Sequence, residues 1–170
     1  RLIHFIAAML FAVLFLVRVV WVIVGNRHAR ALFIPPVWSG EWWSGLFSQL
    51  AYYLFLRKEP HHWVGHNPLA QLAMFAMFVL GAITIILTGF SLYAEQYGWG
   101  SAWMNAFGWV NVLLGGSQMV RTIHHLTMWY LLLFTLVHVY MVFREDIMSG
   151  ETVISTMING IRMFKREARG

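Results

Sequence analysis

The chain contains no cysteine. That excludes disulfides, thiolate-bound zinc, iron–sulfur clusters ligated within this chain, and covalent haem attachment through a C-x-x-C-H motif. Charge is also scarce. Asp, Glu, Lys and Arg make up 11% of the 170 residues, whereas an ordinary soluble domain carries about 25%. Of the four prolines, two are the adjacent Pro35-Pro36. There is no internal repeat and no low-complexity tract. The rest is apolar: 59% of the residues are hydrophobic and 16% aromatic, with nine Trp and six Tyr available as membrane-interface anchors. The composition is that of a membrane protein.

Three apolar runs are long enough to cross a hydrocarbon core ~30 Å thick, which takes about 20 residues. They cover about 2–24, 69–93 and 123–143. The expected fold is all-α and membrane-integral: one membrane domain over residues 1–170 with three transmembrane helices. Residues 42–56 are too short to span with ease and read as an interfacial helix, and 101–114 read as a similar segment on the other side, or as a loop that docks a partner. Residues 144–170 form a polar tail in which 152–164 is a candidate amphipathic helix. Nine basic residues lie in the 25–68 connection and the tail, against Arg1 and Arg121 on the other side. By the positive-inside rule the tail is cytoplasmic and the 94–122 loop periplasmic, in the inner membrane of a Gram-negative cell. The net charge of +5 therefore sits at the flanks of spans, and no nucleic-acid partner is expected. The chain opens at Arg1, directly on an apolar run with no signal peptide. Part of the native N-terminus is expected to be absent.

Ionisable side chains are rare in membrane spans and face the bundle interior when present. The stretch RTIHHLTMWYLLLFTLVHVY carries His124 and His138, 14 residues apart. On one helix that is close to four turns, so the two imidazoles share a face about 21 Å apart. His4 lies near the same membrane surface as His124, so the two could hold one haem iron from both sides. His138 would be an axial ligand of a second, deeper haem. Arg18, 14 residues after His4, reaches that depth and suits a haem propionate. His125 points about 100° away from His124 and reads as a propionate or partner contact. The bland alternatives are a hydrogen-bonded packing histidine or a proton relay. Gly81 and Gly89 share a face of the middle span; they either admit a macrocycle against the backbone or simply allow close helix packing. At the cytoplasmic start of that span, His66, Asn67 and Gln71 form a candidate quinone pocket together with Arg144, Glu145 and Asp146. Asn67 alone reads better as a helix N-cap before Pro68.

The motifs H-H-L-x-M-W and H-V-Y in the last span, with R-E-D-I-M-S and T-V-I-S-T-M in the tail, resemble the b-type cytochrome subunit of respiratory membrane-bound nickel–iron hydrogenases, within the cytochrome b561 and formate dehydrogenase gamma-like di-haem membrane family. Further matches are R-L-I-H-F, G-N-R-H-A-R-A-L-F-I-P-P-V-W, G-H-N-P-L-A-Q-x-A-M-F and L-T-G-F-S-L-Y, so the likeness covers essentially the entire chain. The resemblance implies a four-helix bundle with two haems b. It also implies His4 and His124 as ligands of the periplasmic-side haem. The family's first-helix R-x-W-H-W motif has no counterpart here, which leaves His138 to pair with a histidine on an absent helix. The implied role is to anchor the hydrogenase small and large subunits in the membrane, pass their electrons to quinone and join a higher-order assembly, with no hydrogen chemistry in this chain. The rivals are a cytochrome b of formate dehydrogenase or thiosulfate reductase, a membrane anchor without a redox role, and a small transporter using His124, His138 and Arg18 as a proton relay.

Overall fold

The computed structural model describes residues 1–25, 30, 33–57 and 67–149. Among these every regular element is helical and there is no strand. Three helices are long and apolar enough to cross a membrane: Leu2–Val24, Pro68–Tyr97 and Ser117–Ile147. The protein is an all-α membrane protein. Its chain forms two compact units, Arg1–Leu131 and Leu132–Gly170.

In the first unit, α1 spans Leu2–Val24. Its buried residues Ala12, Phe15 and Val22 recur at helical spacing on one side, while Leu10, Val13, Leu14 and Leu16 are exposed. An apolar exposed face suits lipid rather than water. Helix α2, Gly40–Tyr53, buries Trp42, Leu46, Gln49 and Tyr52, again on one side, and packs against the start of the middle span. The Trp42 indole Nε1–H donates to Gln71 Oε1 at 2.8 Å across that contact.

The middle span, α3, runs Pro68–Tyr97. Asn67 caps it: its Oδ1 accepts the Ala70 backbone N–H at 2.7 Å, and Pro68 occupies the first turn, where no N–H is needed. The α-helix is interrupted by a π-helical stretch over Met74–Val79 and resumes over Leu80–Ala94. Within the π stretch the Ala76 carbonyl accepts the Tyr130 hydroxyl at 3.2 Å. Phe15, Val79 and Ala82 form the core between α1 and α3, surrounded by Phe11, Val19, Phe33, Phe75, Phe78 and Ile86.

The segment expected as one short helix over 101–114 is two. Helix α4 covers Ala102–Phe107 and α5 covers Trp109–Leu114, with Gly108 between them. A Cβ at Gly108 would stand 2.5 Å from the Met104 carbonyl oxygen, so the chain can turn this tightly only with glycine there. Helix α4 packs back on the end of α3 through Trp103, whose ring meets Phe90, Tyr93, Tyr97 and Phe107. Glu95 ties the same region together: one carboxylate oxygen accepts from Asn111 Nδ2 and the other pairs with Arg121, each at 3.2 Å.

Helix α6 runs Ser117–Ser149, starting six residues before the apolar run that announces it. Hydropathy registers burial in lipid, not helicity, and the polar opening turns with Ser117, Gln118, Arg121 and Thr122 are still helical. In the second unit the Phe134 ring stacks on His138 at 5.6 Å and 20°. The helix expected over 152–164 lies outside the described residues.

Candidate functional site

Between α1, α3 and the first half of α6 lies a cleft of about 330 Å³. Helix α1 contributes His4, Phe5, Ala8 and Ala12; α3 contributes Ile85, Ile86, Gly89, Phe90 and Tyr93; α6 contributes His124 and Leu131. Small residues one and two turns after His4 keep the cleft open, and its walls are otherwise apolar. Such a wall excludes water and strengthens any electrostatic contact inside. Phe5 and Tyr93 meet edge to face at 5.4 Å.

His4 and His124 are brought together here. Their ring centroids are 6.3 Å apart and their planes lie at 83°. A metal held in line between two imidazole nitrogens, by bonds of about 2.0–2.1 Å as at zinc sites, sets the ring centroids roughly 6–7 Å apart. Among the described residues no three His, Cys, Asp or Glu side chains gather as a metal cage. Two imidazoles alone cannot complete a coordination sphere, but they suffice for haem, whose macrocycle supplies the other ligands. Spacing and apolar walls fit that group. Held from both sides by these two imidazoles, a haem iron would have no open position, which would suit electron transfer rather than oxygen chemistry.

The two glycines of α3 do different things. A Cβ on Gly89 would stand 3.2 Å from His124 Cε1, so the absence of a side chain there makes room for the ring. A Cβ on Gly81 would meet Leu131 Cδ2 at 2.8 Å, a close helix approach that the flexible end of the leucine would have to relieve by shifting. His124 Nδ1 lies 2.9 Å from Thr88 Oγ1. Sequence reasoning missed Thr88, although Thr84 and Thr88 are the two threonines of the apolar run LGAITIILTGFSLYA, and a polar pair one turn apart in a span is the signal that could have found it.

Arg18 is half-buried on α1 and makes no hydrogen bond or ion pair among the described residues. His125 is exposed, its Nδ1 2.9 Å from the Arg121 carbonyl, which can only accept, so the ring donates. His138 belongs to the second unit and is exposed. Asn67 spends its side-chain oxygen on the cap, and Gln71 spends its oxygen on Trp42. Arg144, Glu145 and Asp146 are half-buried near the end of α6. His66 lies outside the described residues.

A family model described as prokaryotic cytochrome b561 matches residues 1–160. Proteins of Azotobacter chroococcum mcd 1 and Azotobacter vinelandii, both named "Probable Ni/Fe-hydrogenase B-type cytochrome subunit", are each 53% identical over 165 residues, covering 97% of this chain and 69% of theirs. An Escherichia coli K12 protein named "Probable Ni/Fe-hydrogenase 1 B-type cytochrome subunit" is 47% identical over 170 residues, 97% of this chain and 71% of its own. No solved structure matches.

Proposed function

The chain belongs to the prokaryotic cytochrome b561 family, and on that footing we propose that it is the haem b-binding membrane subunit of a nickel–iron hydrogenase, delivering the electrons of hydrogen oxidation to quinone. The observation that carries this reading is the His4–His124 pair, 6.3 Å apart across an apolar cleft between membrane helices. The names of the relatives support the hydrogenase as partner.

Haem b, when bound, supplies a one-electron iron couple. The chain's own residues do the rest. His4 on α1 and His124 on α6 would hold the iron. Gly89 leaves the His124 ring its room, and Ile85, Ile86 and Phe90 keep water out. Arg18, a cation in a span with no protein partner among the described residues, suits a propionate. His138 would ligate a second haem together with a histidine from outside the described residues. At the cytoplasmic end, the Gln71 oxygen is engaged with Trp42, and its amide N–H₂, which has no partner among the described residues, suits a quinone carbonyl. His66 is a further donor there, and on the second unit Arg144, Glu145 and Asp146 are candidate charge and proton groups. Orientation follows the basic residues, with the tail in the cytoplasm of a bacterial inner-membrane protein.

The test is a dithionite-reduced minus oxidised spectrum of the full-length protein purified with its partners, with pyridine haemochrome quantitation per chain. Two b haems are expected. No haem in a folded sample supplied with haem during expression overturns the reading. In the His124→Ala variant, hydrogen-linked quinone reduction is lost while reduction of artificial dyes persists, because dyes can take electrons from the partner directly. Loss of dye activity in an assembled complex counts against it.

A further inference from the structure

Thr88 is buried on α3, only 1% exposed, and faces α6. Its hydroxyl has three neighbours. Thr84 O, the carbonyl one turn back, lies at 2.7 Å, Ile85 O at 3.3 Å, and His124 Nδ1 at 2.9 Å. A hydroxyl has one proton to give and lone pairs to receive with. The two carbonyls can only accept. A threonine within a helix commonly donates to the carbonyl four residues back, and the 2.7 Å contact is the shortest of the three. With its proton spent there, Thr88 Oγ1 can engage the imidazole only as an acceptor, so the ring nitrogen facing it carries the hydrogen.

We propose that Thr88 is a positioning residue that holds His124 as the Nδ1–H tautomer, leaving Nε2 as the atom that binds metal; this rests on the haem reading above. The relay runs Thr84 C=O, Thr88 O–H, His124 Nδ1–H, and every member lies on α3 or α6 inside the first unit. Ligating histidines usually donate their second ring N–H to an acceptor that fixes the ring and strengthens it as a ligand. Here the acceptor is a neutral hydroxyl, polarised by donating onward. Gly89, the next residue, supplies the space beside Cε1 that this ring position needs. Thr88 and Gly89 therefore act as a pair, one orienting the ring and the other admitting it. A stronger imidazole donor stabilises the oxidised iron, so the relay lowers the potential of the haem on His124.

The experiment compares wild type, Thr88→Ser and Thr88→Val in the full-length protein with its partners, reading haem content, midpoint potential and the low-spin EPR signal. Thr88→Ser keeps the hydroxyl and is expected to match wild type. Thr88→Val keeps the shape and removes the acceptor; the potential of one haem shifts upward, its EPR signal moves, and its retention falls by about 10-fold, the low end for loss of such a contact. A Thr88→Val protein that retains haem with an unmoved potential and EPR signal overturns the positioning role and leaves the haem reading intact. A wild type without haem overturns the haem reading itself. Should Thr88→Val not fold, ¹⁵N NMR of histidine-labelled, reduced wild type decides: a protonated Nδ1 on His124 supports the relay, and a metal-bound Nδ1 overturns it.

Discussion

Gly81 and Gly89 are indistinguishable in the sequence, eight residues apart on one face of an apolar span. Their neighbours separate them. The 3.2 Å space beside His124 Cε1 lets Gly89→Ala survive only if the ring gives by a few tenths of an ångström, whereas Gly89→Leu drives a side chain into the cleft. Gly89→Leu is expected to lose the haem proposed for His4 and His124, seen as a halved pyridine haemochrome yield per chain if two haems bind. Gly81→Ala is expected to keep it, because the flexible end of Leu131 can move. Full haem content in Gly89→Leu would place the cofactor elsewhere. The histidines themselves were legible because an ionisable group in a span is costly wherever it sits. Thr88 was not, since a threonine that back-bonds to its own helix costs little and announces nothing. Only its distance to His124 gives it a role.

At the scale of the element, the three spans could be read from hydropathy, because length and apolarity are what a bilayer demands. Their ends could not all be read. Helix α6 starts among polar residues, and the 101–114 segment divides at a glycine whose necessity depends on the Met104 carbonyl. Asn67 was legible as a cap because capping is local chemistry. Asn67→Ala is expected to destabilise the protein by about 0.5–2 kcal/mol, with Asn67→Asp and Asn67→Ser restoring most of it. Thermal denaturation followed by haem absorbance measures this. Quinone affinity unchanged in Asn67→Ser separates capping from a role in a quinone pocket. The Glu95–Arg121 pair promises less: the Arg121 side chain is 55% exposed, and an exposed ion pair contributes at most about 1 kcal/mol. Glu95→Gln keeps an oxygen to accept from Asn111 and removes only the charge; it is expected to leave the melting temperature nearly unchanged, and a large drop would mean that the charge contributes more than an exposed pair should.

For the whole molecule, the sequence identified the family, and the match over residues 1–160 bears that out. Arg1–Leu131 unites His4 and His124, while His138 lies in Leu132–Gly170. The orientation drawn from basic residues gives a further prediction. A reporter active only in the cytoplasm, fused after Gly170, is expected to be active, and the same reporter inserted at Gly98–Gly100 is expected to be silent. The opposite pattern would overturn the orientation proposed from the basic residues.

The π-helical turn at Met74–Val79 acts as a phase shifter within a single span. A wider turn holds about one residue more than an α turn, which sets the two flanking α-helical stretches out of step by some 100°. The stretch that meets Trp42 through Gln71 and the stretch that offers Thr88 and Gly89 to His124 are thereby aimed independently. Such a span can lose one residue at this turn without losing its aim. With one residue deleted between Met74 and Val79, a continuous α-helix keeps its register with both α2 and the cleft, whereas straightening the turn at full length would keep only one of them.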